Sequence, residues 1–427
     1  MATEIITFGC RLNAYETEII RRESKIAGLD ILQNGAIIFN TCAVTAEAVR
    51  RAKQAIRKAR RENPDAYIIV TGCAAQTSTQ DFAVMDEINL ILGNEEKLYA
   101  DSYYHLSDFG INQMEKVRVN NIMDVRENAP HMIDLIEGKV RAFVQIQNGC
   151  DHRCTFCIIP YGRGPSRSVA PGAVVRQIKQ LSDNGYREVV LTGVDLTSYG
   201  IDLLGTINLG KLVASILRNI PDLPRLRLSS IDSIEVDPEL LDILAYEKRL
   251  MPYLHLSFQA GDNILLKRMK RRHLREDAIS FCEELRKKRP EMVFGADLIA
   301  GFPTETDEMF EKTRTLIEEC GLTHLHIFPF SPRKGTPAAL MPQVEHHIIK
   351  QRAAILRKEG KYAYLRNLRQ LQGTEQSILV EQNGIGRCEN YTLAEISESI
   401  PGTIVKCHIA SHNHDRLVAT KIDQYAS

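Results

Sequence analysis

Six of the cysteines are spaced for metal chemistry. Gly149-Cys150-Asp151-His152-Arg153-Cys154-Thr155-Phe156-Cys157 presents thiols in a C-x3-C-x2-C pattern directly after a β-branched, apolar run. Three thiolates this close can hold three irons of a 4Fe–4S cluster, leaving the fourth iron open to a substrate or cofactor. The same i, i+4, i+7 spacing describes one helix face, but Gly149, Pro160 and Gly162 favour a loop. A zinc site with His152 as fourth ligand is a second reading of the same residues. Three more thiols, Cys10, Cys42 and Cys73, each close a short strand-like run: Ile5–Cys10, Ala36–Cys42 and Tyr67–Cys73. A single cysteine of this kind is usually a small buried hydrophobe. Three at matching strand ends point instead to a second cluster on Cys10, Cys42 and Cys73, with reactive thiolates in a cleft.

The elements that position these thiols are βα units. The intervals from Cys10 to Cys42 and from Cys42 to Cys73 are 32 and 31 residues, the length of one unit. Ala46, Val49, Ala52, Ile56 and Ala59 recur at helical spacing between two of them. Ile88–Gly93 adds a fourth strand, so a small parallel sheet should carry all three cysteines at strand carboxyl ends, where open α/β sheets bind ligands. Six further strand candidates follow, each with a helical stretch behind it: Ala142–Gln147, Glu188–Thr192, Arg225–Ser229, Tyr253–Phe258, Met292–Ile299 and His324–Phe328. Six units rather than eight predict an incomplete barrel with its site at the strands' carboxyl ends. A basic helix over Ile349–Leu371 leads to short strands at Ser377–Glu381, Thr403–Ile409 and Arg416–Ile422, a small β-barrel of a kind that often binds RNA. The expected fold is α/β: an N-terminal parallel domain over 1–105, a linker over 106–135, a partial (βα)6 core over 136–366 and an all-β tail over 367–427.

Composition excludes several classes. The chain has 427 residues, 44% hydrophobic and 25% charged, a globular profile of two or three domains. No run approaches the ~20 apolar residues of a membrane span, and Met1–Ile6 lacks a secretory leader, so a cytoplasmic location without membrane partners is expected. Lys+Arg and Asp+Glu both number 54, so any nucleic acid must be held by local patches. Two basic runs could offer them, Arg50, Arg51, Lys53, Arg57, Lys58, Arg60 and Arg61, and Lys267, Arg268, Lys270, Arg271, Arg272 and Arg275, although either run alone reads first as a solvated helix face. Tyr391 in the tail could stack on a base.

The C-x3-C-x-aromatic-C motif at the end of a partial barrel's first strand resembles the radical S-adenosylmethionine (SAM) superfamily. That resemblance implies that the open iron binds the amino and carboxylate groups of SAM, that Phe156 lies near the adenine, and that one electron splits SAM into methionine and a 5′-deoxyadenosyl radical. The tri-cysteine domain, the barrel and the β tail together resemble the methylthiotransferases, and the resemblance covers essentially the whole chain. It implies two 4Fe–4S clusters, one SAM as methyl donor and another as radical source, with the cluster on Cys10, Cys42 and Cys73 delivering sulfur. Thr7–Glu16, Asn40–Ala48 and Phe328–Pro337 resemble the MtaB-type tRNA enzymes, which convert threonylcarbamoyladenosine beside the anticodon to its 2-methylthio derivative. Implied partners are that tRNA and an electron donor such as flavodoxin or ferredoxin. The tail only loosely resembles the family's TRAM domain, and Lys334 stands where sister branches carry a proline.

Strand-end logic adds Gly193, Ser229, Ser230 and Gln259 as SAM-binding candidates, and Asp297–Pro303, with Gly301, resembles the superfamily's adenine-contacting strand, although its Ile and Leu positions also suit ordinary core. A glycine such as Gly193 serves equally as a turn residue. Arg333 and Lys334 are candidate partners for the threonyl carboxylate. Rival readings are the isopentenyladenosine-tRNA branch, the ribosomal-protein-aspartate branch, and a non-catalytic iron–sulfur or zinc RNA-binding protein.

Overall fold

Strands that read as unbroken apolar runs belong to sheets covered on both faces. The computed structural model describes residues 3–32, 34–104, 116–127, 140–397 and 399–422. Their contacts form two units, one drawn from Met1–Glu137, Gln147–Val169 and Ser331–Ala339, the other from Gly138–Ile146, Ala170–Phe330 and Leu340–Ser427. Among the described residues no helix is long and apolar enough to cross a membrane.

The first unit is built on a five-stranded sheet, Glu4–Thr7, Ala36–Thr41, Tyr67–Gly72, Leu90–Leu92 and Val117–Arg118, all parallel and in chain order. Period two sorts its side chains. Ile37, Phe39, Ile68 and Val70 pack with Ile56, Ala59 and Phe82, whereas Ala36, Ile38 and Ile69 pack with Ile20, Leu29 and Tyr103. Helix Ala46–Glu62 starts where the Thr45 hydroxyl accepts the Ala48 N–H at 3.1 Å, an N-cap. It buries Ala52, Ile56 and Ala59 of the positions its periodicity marks, while Val49 is half-buried and Ala46, in the first turn, is exposed. Of the stretch read as a linker, 106–115 and 128–135 lie outside the described residues, and Val117–Arg118 within it supplies the fifth strand.

The second unit holds the six expected barrel strands, Arg141–Gln145, Glu188–Thr192, Arg225–Leu228 with Ser230–Ile231, Tyr253–Gln259, Val293–Ala300 and Leu322–Pro329. All pair in parallel. The third strand breaks at Ser229: its first part pairs with the second strand, its last part with the fourth. The hydrogen-bonded sheet therefore divides into three strands and four. Helix His346–Leu371 packs along the last barrel strand and leads into a closed five-stranded barrel. Two of its strands, Ile385–Cys388 and Leu393–Ile396, carry no strand signature; Gly386 sits where a Cβ would lie 2.4 Å from Ile378 Cγ2.

A buried charge cluster joins barrel and tail. Glu188 stands opposite both Arg141 and Arg225 in the sheet and takes two hydrogen bonds from Arg227, at 3.1 and 3.0 Å. The arginines reach on into the tail: Arg225 donates to the Ser377 carbonyl, Arg227 to the Glu389 carbonyl, and Arg141 pairs with Glu381. Burial alone would raise the Glu188 pKa, but Arg227, then Arg141 and Arg225, bring it to about 2. Its folded value lies below its unfolded one, so its contribution is full above about pH 4.3 and is lost as pH falls towards 2. Glu188→Gln should cost about 3–5 kcal/mol, the usual result of removing one partner of a buried ion pair. Urea unfolding at pH 7 checks it, and the variant's deficit should shrink at pH 3.

Candidate functional site

The three N-terminal thiols occupy one edge of the sheet because their strands are adjacent and in register, with Thr7 opposite Asn40 and Thr41 opposite Gly72. Cys10 caps helix Arg11–Ile26, Cys42 follows Ala36–Thr41, and Cys73 opens helix Cys73–Thr77. Two glycines permit the approach. Gly9 has φ +104°, and a Cβ there would lie 2.9 Å from Cys42 Cβ. Gly72 has φ +94°, and its Cβ would lie 2.3 Å from the Thr41 carbonyl oxygen. Burial, with Cys73 and Cys10 nearby, pushes the Cys42 thiol up to about 11. Ionising this trio therefore calls for a compensating cation or metal.

The cation is Arg163. Its Nε lies 3.2 Å from Cys73 Sγ, and its other nitrogens bind both oxygens of Glu16 and the side-chain oxygen of Asn13. Lys97 Nζ adds bonds of 2.7 Å to Glu16 and to Asn94, whose amide lies 3.6 Å from Cys73 Sγ. Arg163, Lys97 and Glu16 are almost wholly buried. Burial favours neutral Glu16, yet Arg163 and Lys97 hold its pKa below the usual carboxylate range. Glu16 is shared between Arg163 and Lys97, whose own pKa burial lowers, while the Arg163 guanidinium stays charged beside the thiols. That charge fits a 4Fe–4S cluster on Cys10, Cys42 and Cys73, which is net negative with three thiolates. Sequence reasoning passed over this network, although Asn13 and Glu16 lie on the buried face of helix Arg11–Ile26, an anomaly a helical projection exposes.

The second thiol set sits on a tied loop. Strands Gln147–Asn148 and Arg167–Ser168 pair antiparallel at its base. Gly149 has φ +73°, and a Cβ there would lie 1.8 Å from the Pro165 carbonyl oxygen. Backbone bonds run from Cys150 N–H to the Gly164 carbonyl and from Cys157 N–H to the Cys154 carbonyl, both at 3.1 Å. Cys150, Cys154, Phe156 and Cys157 are all half-buried. Three soft thiols at a partly open loop fit a cluster with one accessible iron.

In the second unit Gly193, Ser230, Gln259 and Gly301 lie at or beside the breaks and carboxyl ends of successive barrel strands. Gln259 and Gly301 have positive φ, 67° and 73°. Ser229 Oγ, at the break, and Glu305 Oε1 are buried with no hydrogen-bond partner among the described residues, which suits hydroxyl and amine groups of SAM. The Glu305 carboxylate also takes the Gly301 N–H at 2.9 Å and pairs with Arg352 at 2.7 Å, a role the sequence alone did not reveal.

The candidate RNA contacts already have partners within the fold. Tyr391 stacks on Tyr253 at 4.6 Å between centroids, with Arg387, Arg227 and Arg141 around its ring. The basic runs are largely tied down within the fold: Arg50 and Arg51 to Glu47, Arg271 to Asp232, Arg272 to Asp232 and Glu235, Arg275 to Glu319. Charge counted along a helix does not register the carboxylates that the fold sets against it.

Removing the buried guanidinium tests the first site. Arg163→Met should lose about half of the bound iron after reconstitution, from the Cys10–Cys42–Cys73 set, while Arg163→Lys retains part of it. Iron and sulfide assays on the two variants, each combined with Cys150→Ala, Cys154→Ala and Cys157→Ala, assign the loss.

Comparison with known proteins follows these boundaries. Residues 144–317 match the Radical SAM superfamily, and residues 2–93 match Uncharacterized protein family UPF0004. The chain is 50% identical over 407 residues to threonylcarbamoyladenosine tRNA methylthiotransferase MtaB of Rickettsia prowazekii, covering 95% of this chain and 94% of that one. It is 35% identical to the Bacillus subtilis MtaB over 94% and 92% of the two chains. Against the tRNA-2-methylthio-N(6)-dimethylallyladenosine synthase of Staphylococcus aureus the identity is 29%, over 98% and 82%. Among solved structures, the radical SAM methyltransferase TsrM of Kitasatospora setae shares the fold with TM-score 0.55, at 16% identity over 80% and 77% of the chains. Identity of one half, sustained across nearly the full length of both sequences, means that this chain belongs to the threonylcarbamoyladenosine tRNA methylthiotransferase MtaB family.

Proposed function

We propose that the chain converts threonylcarbamoyladenosine beside the tRNA anticodon to its 2-methylthio derivative, with two SAM molecules and two 4Fe–4S clusters. The observation that carries this reading is the end-to-end identity to the Rickettsia prowazekii enzyme of that name. The bound clusters and SAM supply the electron, the radical and the sulfur.

The protein's own part is to place and shield them. Cys150, Cys154 and Cys157 would hold the cluster that meets SAM, and Phe156, Gly193, Ser230, Gln259 and Gly301 are the residues we assign to SAM itself. Cys10, Cys42 and Cys73 hold the sulfur-delivering cluster, and Arg163 balances its charge. The proposed domains are 1–105, 136–366 and 367–427; within the intervening 106–135, Val117–Arg118 completes the sheet of the first. A cytoplasmic setting with flavodoxin or ferredoxin as reductant suits this chemistry.

Arg333 is the partner we assign to the threonyl carboxylate. It is half-buried, its Nε has no hydrogen-bond partner among the described residues, and it lies close enough to Cys42 to feel that thiol's charge. The Arg333 carbonyl accepts the Thr336 N–H and hydroxyl, fixing the loop, and Ser331 accepts the Ala46 N–H. A guanidinium so held matches a carboxylate bidentately.

Disrupting the gene in its host should abolish 2-methylthio-threonylcarbamoyladenosine in total tRNA and leave methylthio-isopentenyladenosine unchanged. Mass spectrometry of digested nucleosides reads both, and the reverse pattern assigns the chain to the sister branch. Arg333→Gln should lower kcat/KM for methylthio transfer about 10- to 150-fold, equivalent to a charged hydrogen bond of about 1.5–3 kcal/mol. Reductive SAM cleavage by the same variant should be unchanged.

A further inference from the structure

Outside the thiol sites, three barrel strands bring two histidines onto one carboxylate. His255 Nε2 lies 2.8 Å and His326 Nδ1 3.1 Å from the same oxygen, Asp297 Oδ1. All three candidate ligand atoms fall within 4.8 Å of one another. Register produces this convergence. Asp297 stands opposite His326, and His255 stands opposite Gly295, which shares a sheet face with Asp297 two residues on. Gly295 leaves the room that is needed: a Cβ there would lie 2.5 Å from Tyr253 Oη and 2.8 Å from His255 Nδ1.

We propose that His255, Asp297 and His326 bind one divalent transition-metal ion inside the barrel. Two imidazoles and a carboxylate suit zinc, cobalt(II) or iron(II), and leave coordination positions free. The hydrogen bonding accommodates both states. Without metal, each imidazole N–H donates to Asp297, and the Tyr253 hydroxyl donates to His255 Nδ1 at 3.0 Å. With metal, neutral His255 carries its proton on Nδ1 and donates to the Tyr253 oxygen, while His326 carries its proton on Nε2. No proton is released, and one hydroxyl orients the ligand in either state. Tyr253 is itself clamped by its stack on Tyr391.

Access is from one side. The His255 side chain is 4% exposed and that of Asp297 23%, whereas that of His326 is 62% exposed. His326 also lines a 380 Å³ cavity with Arg357, Lys361 and Arg387. The free positions beside this basic wall suit an anionic oxygen donor.

Holoenzyme with both clusters reconstituted, so that iron occupies the six thiolates, is incubated anaerobically with zinc sulfate and desalted. Metal per chain is then counted, and zinc K-edge absorption reads the first shell. The expected result is one zinc per chain with nitrogen and oxygen neighbours only. His326→Ala, a substitution at an exposed position, should abolish retention at unchanged iron content, and Tyr253→Phe should weaken binding about tenfold. No retained zinc, zinc with sulfur neighbours, or equal retention by His326→Ala would each overturn the proposal.

Discussion

A guanidinium cannot discard its proton to escape a dry site, so Arg163 obliges its surroundings to supply negative charge. Glu16 supplies one unit, but Lys97 claims the same carboxylate. What remains is directed at Cys73, on the sheet edge that also bears Cys10 and Cys42. Arg163 follows Cys157 by six residues. The loop that carries one set of thiols therefore also carries the charge balancing the other. Forming either site fixes a part of its neighbour, and both lie within one compact unit.

The second unit also buries a surplus of positive charge, and answers it within the protein. Around Glu188, three arginines exceed one carboxylate, and the surplus is absorbed by tail carbonyls and Glu381. The aromatic face of Tyr391 takes up the remaining guanidinium surface. These arrangements use positive charge for assembly that a count of basic residues would assign to RNA.

The fold was legible where periodicity is strong. Tyr67–Gly72 and Glu188–Thr192 are apolar runs with a single interpretation, and the structure places strands there. Ile385–Cys388 was not legible, because its Gly386 and Arg387 answer to Ile378 and Glu381 across the barrel and not to local propensity. The two thiol sets stand out in the sequence because cysteine spacing is sparse and specific. Their supports were not: Glu16, Lys97, Arg163 and Glu305 are chemically ordinary residues whose importance arises from partners 47 to 147 positions away. Tyr391 failed for the same reason, since one sequence cannot say whether an aromatic in a turn faces solvent or a second tyrosine.

The seat of Tyr391 between Tyr253 and Arg387 bears on how such enzymes can diverge. A terminal β-barrel of some fifty residues looks like an interchangeable cassette, free to be traded as substrates change. Here it is also a stopper for the base of the barrel, keyed by Arg225, Arg227 and Arg141. Inherited exchange of tails therefore has to carry the lock with the key, and recombination at the helix His346–Leu371 junction alone would leave charged strands without their cover.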